Sequence, residues 1–365
     1  MIPHSDAPVP DDAYAGYSSA HYHQQSPRHN GHDGSHDRDY RGSTAGSYRR
    51  PLVPGIYVPT MCFFNSGDED VDTPTIASHA VRLARAGVTG LATQGSNGEA
   101  VHLTQSERQL VTATTRRALD DAGYERMPLI VGCGSQSTRE TVQLCRQAYE
   151  SGGDYALVLP PSYYAGLFAS KSKTILHFFT TVADNSPLPL IIYNFPGAVG
   201  GIDLSSDIII ELSEHPNIVG VKLTCGNTGK LSRVVTGTRR RTKNYNSSRP
   251  EFLVLGGSAD FLIQSLSVGG HGILAGLANL APKACLKTME MYHQDKMSAA
   301  QALQETLSDA DWVAIQGGVV GVKAGMQGWF GYGGFARSPL PRPSAEQAKK
   351  WKEGFHDLMD FESSL

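Results

Sequence analysis

Cysteine is sparse in this chain, with five scattered residues among 365. They form neither a CxxC pair nor a mixed Cys/His pattern, so the sequence predicts no zinc site and no disulfide framework. A reducing compartment is the simplest interpretation. No apolar run approaches the roughly 18 residues that a membrane helix needs, which argues against a membrane protein. The cysteines are Cys62, Cys133, Cys145, Cys225 and Cys285.

An excess of charge of either sign is also missing. Lys and Arg number 32 against 35 Asp and Glu, for a net charge of -3. This balance argues against a nucleic-acid partner. Hydrophobic residues make up 40% and charged residues 18%, which excludes disorder over the whole chain. The length suffices for one large barrel or for two domains.

The segment 1–50 differs in composition from the rest. It holds six of the 13 histidines and almost no Ile, Leu or Val, so we predict a disordered tail. Weak metal binding by these histidines is less favoured than a solvated tail. Acidic residues at Asp6, Asp11 and Asp12 are unusual for a mitochondrial transit peptide. The sequence therefore predicts a cytoplasmic protein, with the mitochondrion as the alternative.

After residue 54, eight short runs rich in β-branched residues alternate with stretches of helical periodicity. Alternation of this kind implies parallel strands and right-handed crossovers, and eight units fit a closed barrel. An open doubly wound sheet would carry a glycine-rich turn after its first strand, and Tyr57-Val58-Pro59-Thr60 has none. The candidate strands are Gly55–Phe64, Gly90–Gln94, Pro128–Cys133, Tyr155–Leu159, Pro189–Asn194, Ile218–Leu223, Phe252–Gly256 and His271–Ala275.

We therefore predict an α/β fold, a (β/α)8 TIM barrel over residues 51–280 with a C-terminal helical extension over 281–365. Three helices are expected in the extension, near 282–293, 298–316 and 344–361. A basic insert from Thr238 to Pro250 follows a predicted helix at 228–237, and we interpret it as a surface loop.

In such a barrel, function gathers at the carboxyl ends of the strands. The second strand ends in the turn Gln94–Glu99, whose glycines allow backbone amides to face an anion. Taken alone, an ordinary Gly/Ser/Asn turn explains it better. Tyr193 lies near the end of the fifth strand. Taken alone, it is best interpreted as a core residue whose hydroxyl reaches the barrel rim.

Lys222 interrupts the apolar strand Ile218–Leu223. Burying an ammonium is costly, so desolvation favours the neutral amine, which is a nucleophile for ketones. The alternative is a lysine that extends to the barrel rim. An amine, a phenol and an anion-binding turn in one barrel suit a small-molecule 2-oxo acid, whose ketone forms an imine while its carboxylate is held.

Four motifs in this order make the chain recognisable. They are GSNGE at 95–99, YNFP at 193–196, GVKLT at 220–224 and GGHGILAGLAN at 269–279. From about residue 54 to 361 the sequence resembles the dihydrodipicolinate synthase / N-acetylneuraminate lyase family of class I aldolases. The resemblance implies a (β/α)8 barrel with added C-terminal helices, a homotetramer, and chemistry without a metal or other cofactor.

The resemblance also implies roles for individual residues. Lys222 would form the Schiff base, and Tyr193 would shuttle protons. Ser96 and Asn97 would bind the substrate carboxylate. Tyr164 would be lent to the proton relay of a neighbouring subunit. The positions implied to line the substrate pocket are Thr224, Gly257 and Leu274.

One departure limits the expected activity. The lysine-biosynthesis enzymes carry an arginine where this chain has Ala198, so dihydrodipicolinate synthesis would lack the cation that binds the aldehyde substrate's carboxylate. The Gln94–Glu99 turn and the stretch Trp329–Gly334 resemble the 4-hydroxy-2-oxoglutarate aldolase branch. We predict cleavage of a 4-hydroxy-2-oxo acid to pyruvate and an aldehyde. The alternatives are a 2-keto-3-deoxy-hexonate aldolase, a dehydratase or hydratase-aldolase on the same imine, and a catalytically silent binding barrel.

Overall fold

Eight parallel strands close into a barrel in chain order, with the first strand paired to the eighth. The computed structural model describes residues 50–168, 172–245 and 250–365. The predicted (β/α)8 barrel with C-terminal helices is confirmed, and each predicted strand contains an observed one. The strands are β1 (Gly55–Pro59), β2 (Gly90–Thr93), β3 (Leu129–Gly132), β4 (Tyr155–Val158), β5 (Leu190–Asn194), β6 (Ile218–Leu223), β7 (Leu253–Gly256) and β8 (Gly272–Leu274).

Side chains of the strands alternate between the barrel lumen and the layer of helices outside it. Every strand residue except Val219 is buried, as expected for parallel strands covered on both faces. One cluster fills the lumen and a second, larger one lies between strands and helices. The lumen residues are Tyr57, Ala92, Ile130, Tyr155, Leu157, Ile191, Tyr193, Leu253, Leu255 and Leu274.

The amino end of the barrel is covered by the segment that precedes β1. The Tyr57 hydroxyl donates to the Val53 carbonyl at 2.7 Å, and the Tyr155 hydroxyl donates to the Arg50 carbonyl at 3.0 Å. Leu52 packs against the lumen cluster from the same side. The opposite end, where the strands terminate, is therefore the end at which a ligand can enter.

Helices follow the strands and then extend beyond the barrel. Thr104 and Glu107 form a capping box at the start of the second helix, and the Asp72 side chain caps the first. The helices are α1 (Thr73–Arg85), α2 (Gln105–Asp121), α3 (Thr138–Glu150), α4 (Ala165–Phe168), α5 (Ser172–Asn185), α6 (Ser206–Leu212), α7 (Thr228–Tyr245), α8 (Leu262–Ser267), α9 (Pro282–His293), α10 (Met297–Phe330), α11 (Ala345–Gly354) and α12 (His356–Ser364).

Several predicted boundaries are wrong. α7 continues to Tyr245 through most of the basic insert, because arginine and lysine are good helix formers and their charge does not imply a loop. β1 ends at Pro59 rather than at residue 64. α10 runs on to Phe330 across a kink at Gly318, whose combination of φ 54° and ψ -150° is essentially confined to glycine. The predicted helix at 344–361 is two helices that meet at the buried Phe355.

The barrel and the C-terminal helices belong to the same compact unit. The predicted tail at 1–50 lies, apart from Arg50, outside the described residues. A search of the described helices found none with the length and apolarity to cross a bilayer.

Candidate active site

Lys222 lies near the carboxyl end of β6 with its side chain in the lumen. Its register partners are Tyr193 on β5 and Leu255 on β7, which are both lumen residues. Its chain neighbours Val221 and Leu223 face the helices instead. Lys222 is 4% exposed, and its Nζ forms no ion pair or hydrogen bond with any described residue. The Lys222 amine is therefore not engaged by a carboxylate or a carbonyl of the described chain.

The ring of Tyr193 lies beside the Lys222 amine. The Lys222 Nζ lies 4.2 Å from the centroid of the Tyr193 ring. Tyr193 is buried, and its ring stacks on Phe195 at 5.8 Å with an interplanar angle of 26°. Neighbouring strands in register therefore bring the predicted nucleophile and the predicted proton carrier into contact.

The pocket positions predicted on β6, β7 and β8 also lie at this end. Leu274 is fully buried in the same lumen cluster as Tyr193. The Gly257 amide donates to the Leu223 carbonyl at 2.8 Å, and a Cβ added at Gly257 would overlap the Thr224 side chain. The Thr224 Oγ1 is buried without a hydrogen-bond partner among the described residues. A buried hydroxyl of this kind is available to a ligand.

The turn after β2 presents backbone amides without an acceptor among the described residues, those of Ser96 and Asn97. The Ser96 side chain is exposed and that of Asn97 is half-buried. Gln94 fixes the start of the turn, since its Nε2 donates to the Arg108 carbonyl and to the Thr112 Oγ1 at 2.5 and 2.6 Å.

Glu99 fixes the other end of this turn. Its Oε1 accepts a hydrogen bond of 2.6 Å from the Lys323 Nζ on α10, and both side chains are almost fully buried. Its Oε2 accepts from the Arg337 backbone amide at 2.9 Å. The last residue of the GSNGE motif is therefore an anchor for the C-terminal extension, a role that its position in the motif did not predict.

The loop after β5 is supported by a similar network. The Asn194 Nδ2 donates to the Asp203 Oδ1 at 2.8 Å, and the Leu204 amide donates to the Asn194 Oδ1. Asp203 also forms an ion pair with the buried Lys230 on α7. Ala198 is exposed in the short 3-10 helix Pro196–Ala198 of this loop.

Tyr164 follows β4, and no described interaction joins it to Lys222 or Tyr193. It is 63% exposed, and its ring contacts Tyr163 edge-on at 5.0 Å. Leu167, three residues further along the chain, is also exposed. Among the described residues Tyr164 forms no ring contact with Tyr193.

The family of the chain follows from its match to a family sequence model. The sequence model of the Dihydrodipicolinate synthetase family matches residues 53–359. The chain belongs to this family.

Relatives within the family are similar over nearly their whole length. A protein of Emericella nidulans named "Probable 4-hydroxy-2-oxoglutarate aldolase, mitochondrial" is 52% identical, over 87% of this chain and 98% of the relative. An "L-threo-3-deoxy-hexylosonate aldolase" of Aspergillus niger is 49% identical, over 86% and 98%. The crystal structure of the family member YagE from E. coli K12, in complex with pyruvate, has a TM-score of 0.76 and 26% identity, covering 84% of this chain and 99% of that chain.

The predictions of the family, of the barrel fold and of an aldolase are confirmed by these similarities. As in other members of the Dihydrodipicolinate synthetase family, the chain acts on small molecules. The roles of the individual site residues stay predictions.

Two supporting residues of this family member were not predicted. Lys323 contacts Glu99 across 224 positions of sequence, and nothing local indicates that pairing. Asp311 on α10 accepts hydrogen bonds from the loop after β7. Asp311 could have been noticed in the sequence, because it places a charged residue among the apolar helix positions Leu307, Ala310 and Ala314.

Proposed function

We propose that this aldolase uses Lys222 to form a Schiff base with a 4-hydroxy-2-oxo acid and cleaves it to pyruvate and an aldehyde. The observation that supports this most strongly is a lumen lysine without a counter-ion, 4.2 Å from the ring of Tyr193. The pyruvate complex of YagE is consistent with a product of this kind.

The first step is attack of the neutral Lys222 amine on the C2 ketone. Loss of water from the carbinolamine gives a protonated imine, which withdraws electrons as a metal ion would in other aldolases. Tyr193, whose ring lies beside the amine, would exchange the protons that this addition and dehydration require. The residues that do this chemistry lie on adjacent strands, so the barrel fixes their relative positions.

The second step breaks the bond between C3 and C4. The C4 hydroxyl loses its proton through the tyrosine relay, the C3–C4 electron pair moves to C3, and the imine becomes an enamine as the aldehyde leaves. Protonation at C3 and hydrolysis then release pyruvate and regenerate the Lys222 amine.

The carboxylate next to the ketone would be held by the turn after β2. The unpaired amides of Ser96 and Asn97, with their side chains, can donate to its oxygens. The unpartnered Thr224 Oγ1 and the Gly257 backbone border the reacting carbon on the β6–β7 side, and Leu274 would contact its apolar part.

Two substrates are favoured by different relatives. We favour 4-hydroxy-2-oxoglutarate, after the Emericella protein, with a 3-deoxy-hexulosonate as the second candidate, after the Aspergillus protein. A retro-aldol assay coupled to pyruvate detection separates them. We expect pyruvate from both, with the higher kcat/KM for 4-hydroxy-2-oxoglutarate.

The same assay addresses the other activities. A 2-oxo acid product that keeps all its carbons would establish a dehydratase instead. No turnover of any 2-oxo acid by a folded protein would establish a binding barrel. Either outcome overturns the proposal.

We also propose a homotetramer in which Tyr164 completes the relay of a neighbouring subunit. Exposure of Tyr163, Tyr164 and Leu167 supports a contact surface at this loop. Sedimentation equilibrium should give four chains per particle, and Tyr164→Phe should lower kcat with little change in that mass. The compartment, predicted to be cytoplasmic, can be tested against the mitochondrial name of the Emericella relative by cell fractionation.

A further inference from the structure

A stripe of three polar side chains on α10 binds the backbone of the loop that follows β7. Gln304, Ser308 and Asp311 are spaced four and three residues apart, so they share one face of the helix. Gln304 and Asp311 are buried. Since α10 belongs to the C-terminal extension, the stripe connects that extension to the candidate active site.

Asp311 makes the densest of these contacts. Its Oδ2 accepts hydrogen bonds from the Ser258 hydroxyl at 2.5 Å, the Ala259 amide at 2.7 Å and the Asp260 amide at 3.1 Å. It forms no ion pair with a described residue. Three donors on one oxygen define the path of the chain at Ser258 more closely than a single bond would.

Gln304 and Ser308 bind the next residues of the same loop. The Gln304 Nε2 donates to the Ala259 carbonyl at 2.9 Å, and its Oε1 accepts from the Ile263 amide at 3.0 Å. The Ser308 hydroxyl donates to the Asp260 carbonyl at 3.0 Å. These backbone amides and carbonyls, which a regular helix would pair internally, are therefore hydrogen-bonded to side chains of α10.

The loop after β7 connects these hydrogen bonds to β6, the strand that carries Lys222. Gly257 precedes Ser258 directly, and its backbone touches Thr224, two residues after Lys222. A shift of the Ser258 backbone would therefore move Gly257 against Thr224 and change the space beside Lys222. Displacements of about 1 Å at remote positions can cost about 100-fold in rate.

We propose that Asp311 is a positioning residue of the aldolase, whose carboxylate holds the Gly257-Ser258 turn against Thr224 and so sets the shape of the site beside Lys222. The inference rests on the proposed function of Lys222. The carboxylate form does the positioning, because protonation removes acceptor capacity from the oxygen that binds three donors.

The titration of Asp311 falls in an accessible range. Burial raises its pKa to about 6, against the lowering effect of the Ser258 hydrogen bond and with repulsion from Asp260. The ionisable groups that face it are Asp260 in the loop and the Cys285 thiol on α9. Protonation below pH 6 should loosen the turn, so kcat/KM should fall as the pH drops through this value.

The test compares Asp311→Asn with Asp309→Asn, which changes an exposed carboxyl on the same helix. We expect Asp311→Asn to lower kcat/KM by about 10- to 100-fold at pH 7.5 and to abolish the fall near pH 6. Asp309→Asn should retain both the wild-type rate and the wild-type pH profile. An unchanged rate and an unchanged profile in Asp311→Asn would overturn the proposal.

Ser258→Ala provides a second, milder variant. Removing the hydroxyl deletes a hydrogen bond that lowers the pKa of Asp311, so the fall in kcat/KM should move to higher pH. A purely structural role of the loop would not move it, so an unshifted profile counts against the proposal. Borohydride trapping of wild type with pyruvate is run in parallel. Lack of trapping there would refute the function of Lys222 itself, whereas normal trapping with an unchanged Asp311→Asn refutes only the positioning role.

Discussion

Two deeply buried lysines of this protein have opposite surroundings. Lys323 on α10 is fully buried, with its Nζ 2.6 Å from the Glu99 Oε1, 2.9 Å from the Phe335 carbonyl and above the Phe64 ring. Lys222 on β6 is 4% exposed, and its amine lies over the face of the Tyr193 ring with no ion pair or hydrogen bond to a described residue.

The difference separates a lysine held in an ion pair, Lys323, from the proposed nucleophile, Lys222. A buried ammonium is tolerated when a carboxylate and further acceptors compensate its desolvation. Burial lowers the pKa of Lys323, and the charge and hydrogen bond of Glu99 oppose this effect. Lys222 has no carboxylate partner among the described residues, which is what the proposed nucleophile requires and a structural ion pair does not.

The largest expected effect is on activity. Lys222→Met should lower kcat by at least about 1000-fold, because no other amine can form the imine. Lys323→Met should keep kcat within about tenfold at temperatures where the variant is folded, since Lys323 does not touch substrate. Steady-state assays of both variants, with circular dichroism to verify folding, measure the contrast. Similar losses in the two variants would contradict it.

Stability should show the reverse order. Lys323→Met leaves Glu99 buried without its partner and should lower the free energy of unfolding by about 3–5 kcal/mol. Lys222→Met should change it by less than about 1 kcal/mol or increase it, because a costly desolvated amine is removed. Urea titrations at one protein concentration check both, with exposed Lys349→Met as a control. A large loss of unfolding free energy in Lys222→Met would contradict this order, because it would mean that the surroundings of Lys222 stabilise its charge.

A smaller effect concerns acid stability of the region around Lys323. Arg337 donates to Glu107 at 2.6 Å, and this hydrogen bond, together with those from Thr104, lowers the pKa of Glu107 from 4.5 to about 2. The stabilisation is complete above pH 4.5 and is lost as the pH falls towards 2. Glu107→Gln should therefore flatten Tm against pH in this window, whereas Lys222→Met should leave the slope unchanged. An unchanged slope of Tm against pH in Glu107→Gln would show that the Glu107–Arg337 pair does not cause the acid dependence.

Much of the fold follows from local pattern. Short β-branched runs that alternate with helical stretches predicted all eight strands, because strands buried on both faces read as continuous apolar segments. Boundaries were less accurate where charge obscured helix propensity, as in α7, or where one glycine permitted a kink inside a longer helix, as in α10.

The site was predictable where chemistry conflicts with burial. Lys222 stands out because a charge inside an apolar strand needs a reason, and register alone then places it beside Tyr193. Glu99 with Lys323 and Asp311 with Ser258 could not be paired from sequence. Each pair joins residues more than 50 positions apart, and such contacts arise only when the C-terminal helices pack on the barrel.

Reduction of the imine tests the central claim most directly. The full chain is incubated with pyruvate and borohydride, digested, and analysed by mass spectrometry for a lysine that carries the reduced pyruvyl group. The account predicts one modified peptide, containing Lys222, and none in Lys222→Met. Modification of another lysine, or undiminished labelling of Lys222→Met, would contradict it.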